Sequence, residues 1–276
     1  MKVWLLSCIT SINLIDIRQY ERVAVMLRFH TVFFYNSIMT QKIEDQLLEW
    51  ADEYHKESFI KDDPVQFPHR YTRKEDIEIC GLLTAILSFG NRKLILRKVD
   101  ELDEMMNHSP LEYVLSRKWK SDFKETDTTS FYRMISHAAF RDYFERLYVV
   151  YSSGYSLEDA LLQFPGNPMQ KLCAFLGVSN RSPQKKLNMF LRWMIRRNSP
   201  VDFGIWTRMK VSELIIPLDT HVCRMAFQLG LVQTETFSLS NARKITDALA
   251  EIFPNDPCLG DFALFGYGVN HKDSYR

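Results

Sequence analysis

The sequence predicts an all-α protein, and three observations carry that prediction. Apolar residues recur at spacings of three and four along most of the chain, short polar turns separate the periodic segments, and nothing between Lys93 and Phe164 alternates as a half-buried strand does. With 276 residues, 46% of them hydrophobic and 13% aromatic, the chain can bury one large core or two modest lobes. No repeat or low-complexity tract interrupts it.

Residues 1–38 read as an atypical N-terminal extension. MKVWLLSCITSINLI has the charge-then-apolar order of a signal peptide, but Asn13 and Asp16 break the run, no small-residue cleavage site is clear, and it is too short to span a bilayer. The periodic chain starts at Met39 with MTQKIEDQLLEWADEYH, an amphipathic helix with Ile43, Leu47, Leu48 and Trp50 on its apolar side. DDPVQFPHRY, with two prolines, is expected as a loop laid over the surface. Arg73 to Gly90 follows with acids at its start and then IEICGLLTAILSFG, apolar nearly all round, which predicts a central buried helix. A break at Ser88–Asn91 and a restart at Arg92 make a helix-turn-helix. Between Lys93 and Phe164 four or five amphipathic helices are expected, including one through TSFYRMISHAAFRDYFERLYVVYSS and one opened by Ser156 with Glu158 and Asp159 behind it. His108 and His137 are single histidines without ligand-spaced companions and read as surface or packing residues.

NPMQKLCAFLG predicts a helix stopped by Gly177, and PQKKLNMFLRWMIRR another, begun near Pro183, with Leu187, Phe190, Leu191 and Met194 facing the core and Lys185, Asn188, Arg192 and Arg196 nearer the opposite side. The insert NSPVDFGIWTRMKVSE then brings Phe203 and Trp206, and the helices NARKITDALAEIF and DFALFGYG close the chain. Between them lies LIIPLDTHVCRMAFQLGLV. Pro217 keeps the chain extended on arrival, a helix starts at Leu218 or Asp219, and Val222, Met225, Ala226 and Leu229 form its buried face. Asp219 therefore sits at a helix N-terminus, where free amides and the helix dipole favour the ionised acid; a plain N-cap explains the same letter.

Charge and cysteine content narrow the function. Net charge is +1, yet Asn167 to Gly230 holds ten Lys and Arg against three acids, a local excess suited to phosphate contacts or, more plainly, to a solvated basic face. Five scattered cysteines give neither a disulfide framework nor a Cys-x-x-Cys metal site, so a cytoplasmic protein with no metal and no cofactor is expected.

PLDTHVCRMAFQLGL resembles the Val-Asp-Thr-His-Val segment of the helix-hairpin-helix DNA glycosylases, the endonuclease III superfamily, over about fifteen residues. SPQKKLNMFLRWMIRR, Leu214 to Leu218 and DFALFGYG together resemble an uncharacterised bacterial domain-of-unknown-function family, number 2400, with the glycosylases as its distant relatives. The resemblance implies a two-lobed helical fold over residues 39–276, with residues 74–197 as the middle lobe and residues 39–73 with 198–276 as the other. It implies base-excision repair: cleavage of the N-glycosidic bond of a damaged base flipped out of DNA, with AP-lyase activity through a Schiff base, by a monomer that does not bind membranes. Asp219 would carry the carboxylate and Lys185 the nucleophilic amine, with Lys186 as the alternative nucleophile. Ser88 or Asn91 would fill the gap in the duplex, and Asn188, Arg192, Trp193, Phe203, Trp206, His221 and Arg224 would line the DNA or base pocket. Only Cys223 and Cys258 follow Asp219, so the iron–sulfur cluster of many relatives is expected to be absent. GVSNRSPQKK lacks the Gly-x-Gly hairpin, and the longer interval between Lys185 and Asp219 is similar to that of archaeal 8-oxoguanine glycosylases. A non-catalytic nucleic-acid-binding protein of the same fold, or an all-α protein with a closed small-molecule pocket, remains the alternative.

Overall fold

The computed structural model describes residues 40–271, so the expected extension at 1–38 lies outside the described residues. The chain divides after Gln46, with residues 40–46 forming the first turns of a helix, α1, over residues 40–54. Everything below belongs to the unit that starts at Leu47.

That unit is mostly helical and is organised around α2 (Lys74–Leu87), in which every residue from Ile77 to Leu87 is buried. Glu75 and Asp76 occupy its first turn, where the dipole favours acids, and the largely apolar run behind them, with Glu78 buried inside it, leaves no solvent-facing side. α9 (Lys185–Ile195) packs across α2 at Gly81, where an added Cβ would come 3.1 Å from Met194 and 3.3 Å from Phe190. A side chain there would push the two helices apart. α3 (Arg92–Met105) begins at Asn91, whose side chain accepts from the Leu94 amide at 3.3 Å. α4 (Pro110–Ser116), the short α5 (Trp119–Asp122) and α6 (His137–Ser152) cover the far side of α2, joined by an aromatic cluster of Trp119, Phe123, Phe140 and Phe144. α7 (Leu157–Leu162) and α8 (Pro168–Leu176) both open with capping boxes, Ser156 with Asp159 and Asn167 with Gln170.

The end of the chain supplies α10 (Thr220–Gln228), α11 (Leu239–Ile252) and α12 (Leu259–Asn270), with α12 packed along α10 and Trp50 of α1 stacked on Tyr267 at 3.7 Å. Among the described residues no helix is long and apolar enough to cross a membrane.

Two expectations are corrected. The segment expected to run as one helix through Ser130–Ser136 instead forms an antiparallel hairpin, β1 (Ser130–Tyr132) with β2 (Ile135–Ser136). Arg133 turns the chain at φ 52°, Ser130 Oγ donates to its carbonyl at 2.7 Å, and Phe131 and Tyr132 sink into the core. Tyr132 Oη also donates to Phe89 O at 2.8 Å, so tertiary contacts outweigh the helical spacing of the letters. The second correction concerns Asp62–Tyr71: its 3-10 turns bury Pro64, Val65, Phe67 and Pro68 beneath α2 and α3. Val65 and Phe67 carry too much apolar surface to stay in water.

Candidate functional site

The two segments singled out by their charged helix starts meet in space. Before α9 the chain turns through Gln184, which adopts the left-handed conformation at φ 48°, while Asn188 Nδ2 reaches back to Pro183 O at 2.8 Å. This turn delivers Lys185 as the first residue of α9. On the other side, the extended lead-in is held by a hydrogen bond from Ile216 N to Thr246 Oγ1, and Asp219 caps α10. Its Oδ1 accepts from the amides of His221 and Val222, each at 2.9 Å, and its Oδ2 lies 3.3 Å from Lys185 Nζ. One oxygen thus fixes the helix and the other faces the amine. The Asp219 side chain is 12% exposed and that of Lys185 34%, so the pair is partly screened from water but reachable.

Lys185, Pro217 and His221 form one wall of a cavity of about 400 Å3. The α2–α3 turn contributes Ser88, Phe89 and Gly90, the 3-10 segment contributes Phe59 and Asp63, and α12 contributes Asp261 and Phe265. Gly90 has φ +100°, a conformation that favours glycine, and the Arg133 guanidinium of the hairpin lies against it. The turn is clipped further by Tyr132, whose ring meets Phe89 edge-on at 5.2 Å.

Arg192 closes the floor. It donates from Nη1 to Asp261 Oδ2 at 2.6 Å and from Nε to Asp202 Oδ1 at 3.2 Å, and these two acids raise its pKa despite full burial. Asp202 Oδ2 in turn accepts from Arg196 at 2.9 Å. Because Arg192 is divided between two acids, burial dominates at Asp261 and pushes its carboxyl up to about 6 against the pull of Arg192. Asp261 Oδ1 is buried and has no hydrogen-bond partner among the described residues. Burial likewise raises Asp63, whose Oδ1 accepts only from the Val65 amide at 3.0 Å among the hydrogen bonds here.

The remaining residues picked from the sequence separate into two groups. Ser88, Arg192 and His221 line the cavity with Lys185. Lys186 does not: its Nζ donates to Ile86 O at 3.0 Å and sits 4.4 Å above the Phe89 ring, and burial lowers its pKa. Asn91 is an exposed helix cap, and Asn188 is buried against Pro183 and Met169. Trp193 and Trp206 are fully buried core residues; Trp206 Nε1 donates to the buried Glu78 at 2.6 Å, which is why it points inward from its loop. Phe203 packs on His69 at 4.2 Å, and Arg224 is an exposed partner of Glu235 at 3.3 Å. Of Arg192 and Arg224, both expected at the DNA or base pocket, only Arg192 lines the cavity.

Sequence reasoning passed over Asp63, Asp261, Phe59, Phe89 and Phe265. For Asp261 a signal existed: GDFALFG sets one acid in the first turn of an otherwise apolar helix, and such an acid needs a partner if buried. For Asp63 the segment looked like surface loop, and Phe59 lies just before it.

No curated protein and no solved structure matches the chain. The family model described as "Protein of unknown function (DUF2400)" matches residues 63–176 and 165–270, a span that takes in the α2–α3 turn, Lys185, Asp219 and Asp261. The chain belongs to the DUF2400 family.

Proposed function

We propose that this chain is a DNA glycosylase with a fold of the helix-hairpin-helix type, acting on a nucleoside extruded from a damaged duplex, with Lys185 as nucleophile and Asp219 as its carboxylate partner. The observation that carries the reading is the 3.3 Å approach of Lys185 Nζ to Asp219 Oδ2 at the wall of a cavity large enough for one base. Breaking a glycosidic bond builds positive charge on the sugar, which a fixed carboxylate stabilises. The amine must first lose a proton to attack, and Asp219 is placed to take it. Bond formation from Nζ to C1′ then displaces the base, which leaves with the bonding pair; opening of the C1′–O4′ bond, its pair going to O4′ with a proton, gives the Schiff base that permits strand cleavage by β-elimination.

Two further features support a nucleic-acid substrate. Phe89 and Phe265 line the cavity, and stacking of a flipped base on an aromatic ring contributes on the order of 1 to 3 kcal/mol per base. Arg92 lines the cavity beside the α2–α3 turn, with Lys93 next to it in the chain, a suitable seat for a phosphate. The reading takes a monomer as the working unit.

Borohydride trapping on a panel of damaged and abasic duplexes, with free-base release measured in parallel, tests the proposal. Cross-linking that disappears in Lys185→Ala and persists in Lys186→Ala is the expected result. Neither trapping nor base release on any duplex would leave a binding protein of the same fold.

A further inference from the structure

A second, open groove of about 340 Å3 lies among the helices on the far side of α2, walled by Arg117 and Lys120 from the α4–α5 turn and by Glu145, Arg146, Tyr148 and Val149 of α6. It shares no lining residue with the cavity at Lys185. Its cations are held in place without being neutralised. Arg117, left-handed at φ 60° where α4 ends, sets its guanidinium 4.1 Å from the centre of the Tyr148 ring and donates to Tyr148 Oη. Arg146 donates from Nη1 to Phe175 O at 2.7 Å, and Lys120 Nζ lies 5.4 Å from the Trp119 ring. All three are exposed, and none makes an ion pair among the described residues. The acid on the wall, Glu145, is 3.6 Å from a fourth cation, Arg141.

Neutral partners thus fix two guanidinium forks and leave their charge unmet. Planar carboxylates suit such forks, and the ordering of the arginine side chains is already achieved in the fold. Two observations favour a polypeptide over a nucleic acid. Trp119 is fully buried and Arg117 lies over the Tyr148 ring, so a base finds little aromatic surface to stack on. Along α6, from the hairpin at the cavity rim as far as Glu145, the exposed residues are Ala139, Asp142 and Glu145, so a phosphate backbone running on from the rim would meet like charge. Val149, 64% exposed, adds an apolar contact to the wall. We propose that this groove docks an acidic segment of a partner protein, its Asp or Glu side chains on Arg117, Lys120 and Arg146 and an aliphatic side chain against Val149. The proposal goes beyond the glycosylase reading and does not depend on it.

The full chain is titrated into a fluorescein-labelled peptide, Gly-Asp-Glu-Leu-Asp-Glu-Gly, and binding is followed by anisotropy beside the Asn/Gln counterpart and a short labelled DNA duplex. The acidic peptide should bind at least ~10-fold more tightly than its amide counterpart, the scale of about three exposed ion pairs, and the preference should shrink as salt is added. Arg117→Glu/Lys120→Glu, with its fold checked by thermal melting, should abolish that preference and leave duplex binding as in the parent. Equal binding of the two peptides, a preference that survives in the double variant, or no peptide binding overturns the proposal. A double variant that loses duplex binding while the peptides never distinguish it from the parent would assign the groove to nucleic acid instead. Failure of borohydride trapping bears on Lys185 and Asp219 alone and leaves the groove untouched.

Discussion

Lys186 Nζ donates to the carbonyl of Ile86 at 3.0 Å and so ties the first turn of α9 to the last turn of α2. Its neighbour Lys185 instead faces Asp219. The two adjacent lysines therefore have separable consequences. Lys186→Met is expected to lower stability by about 1 kcal/mol, the net value of a hydrogen bond, while leaving borohydride trapping in place. Urea denaturation and trapping on the same protein check this; a Lys186→Met protein of full stability that no longer traps would exchange the roles.

Asp219 combines a helix cap with a partner for Lys185, and the two can be divided by substitution. Asn still accepts from the His221 and Val222 amides, so Asp219→Asn should keep stability within a few tenths of a kcal/mol, whereas Asp219→Ala should lose about 1 kcal/mol. Base release should be abolished in both. An Asn variant as active as the parent would show that the carboxylate serves only as a cap.

Asp261 makes stability depend on pH in a definite direction. Its carboxyl is held at about 6 in the fold against 3.8 in its ordinary state, so the folded chain binds the extra proton between those values. The stability this contributes is complete below pH 3.8 and is lost as pH rises through about 6. Asp261→Asn removes that contribution, so the variant should gain relative to the parent between pH 4 and pH 6, read as urea midpoints. A constant difference across that range would mean that Asp261 is ionised throughout.

Arg192 is the buried charge on which Asp202 and Asp261 both rely. Arg192→Ala leaves two buried acids without it and should cost roughly 3 to 5 kcal/mol. Arg192→Lys retains the charge but cannot reach both acids with a planar fork, so an intermediate loss is expected by thermal denaturation.

Gly266 of α12 lies directly against Tyr54, where an added Cβ would overlap the ring. Gly266→Ala should destabilise by about 1 to 3 kcal/mol through that crowding, despite the higher helix propensity of alanine. A melting temperature equal to or above that of the parent would show that Tyr54 yields without cost.

Much of this could be read from the letters because the information was local. Pro217 and Asp219 marked a helix start, Ser156 with Asp159 marked a capping box, and the apolar run from Ile77 marked a central helix; each is decided by residues within a turn of one another. The hairpin at Ser130–Ser136 was hidden because its cause lies elsewhere, in the carbonyl of Phe89 and the aromatic pocket around Phe123 and Phe140. Trp206 was ambiguous for the same reason: only the position of Glu78, 128 residues away, turns it into the core. The site shows both kinds of information. Lys185 and Asp219 carry local signatures, but Asp63 and Asp261 acquire their character from burial and from the division of Arg192 between two acids.

Asp202 answers two guanidinium groups one helical turn apart, Arg192 and Arg196, and so straps the segment after α9 back onto that helix. Because the strap is built from the chain's own ion pairs, the cavity floor should need no ordering when a substrate arrives. Association should then follow electrostatic steering, with an on-rate that drops as salt is added, and should not show the saturating kinetics of a slow isomerisation before capture.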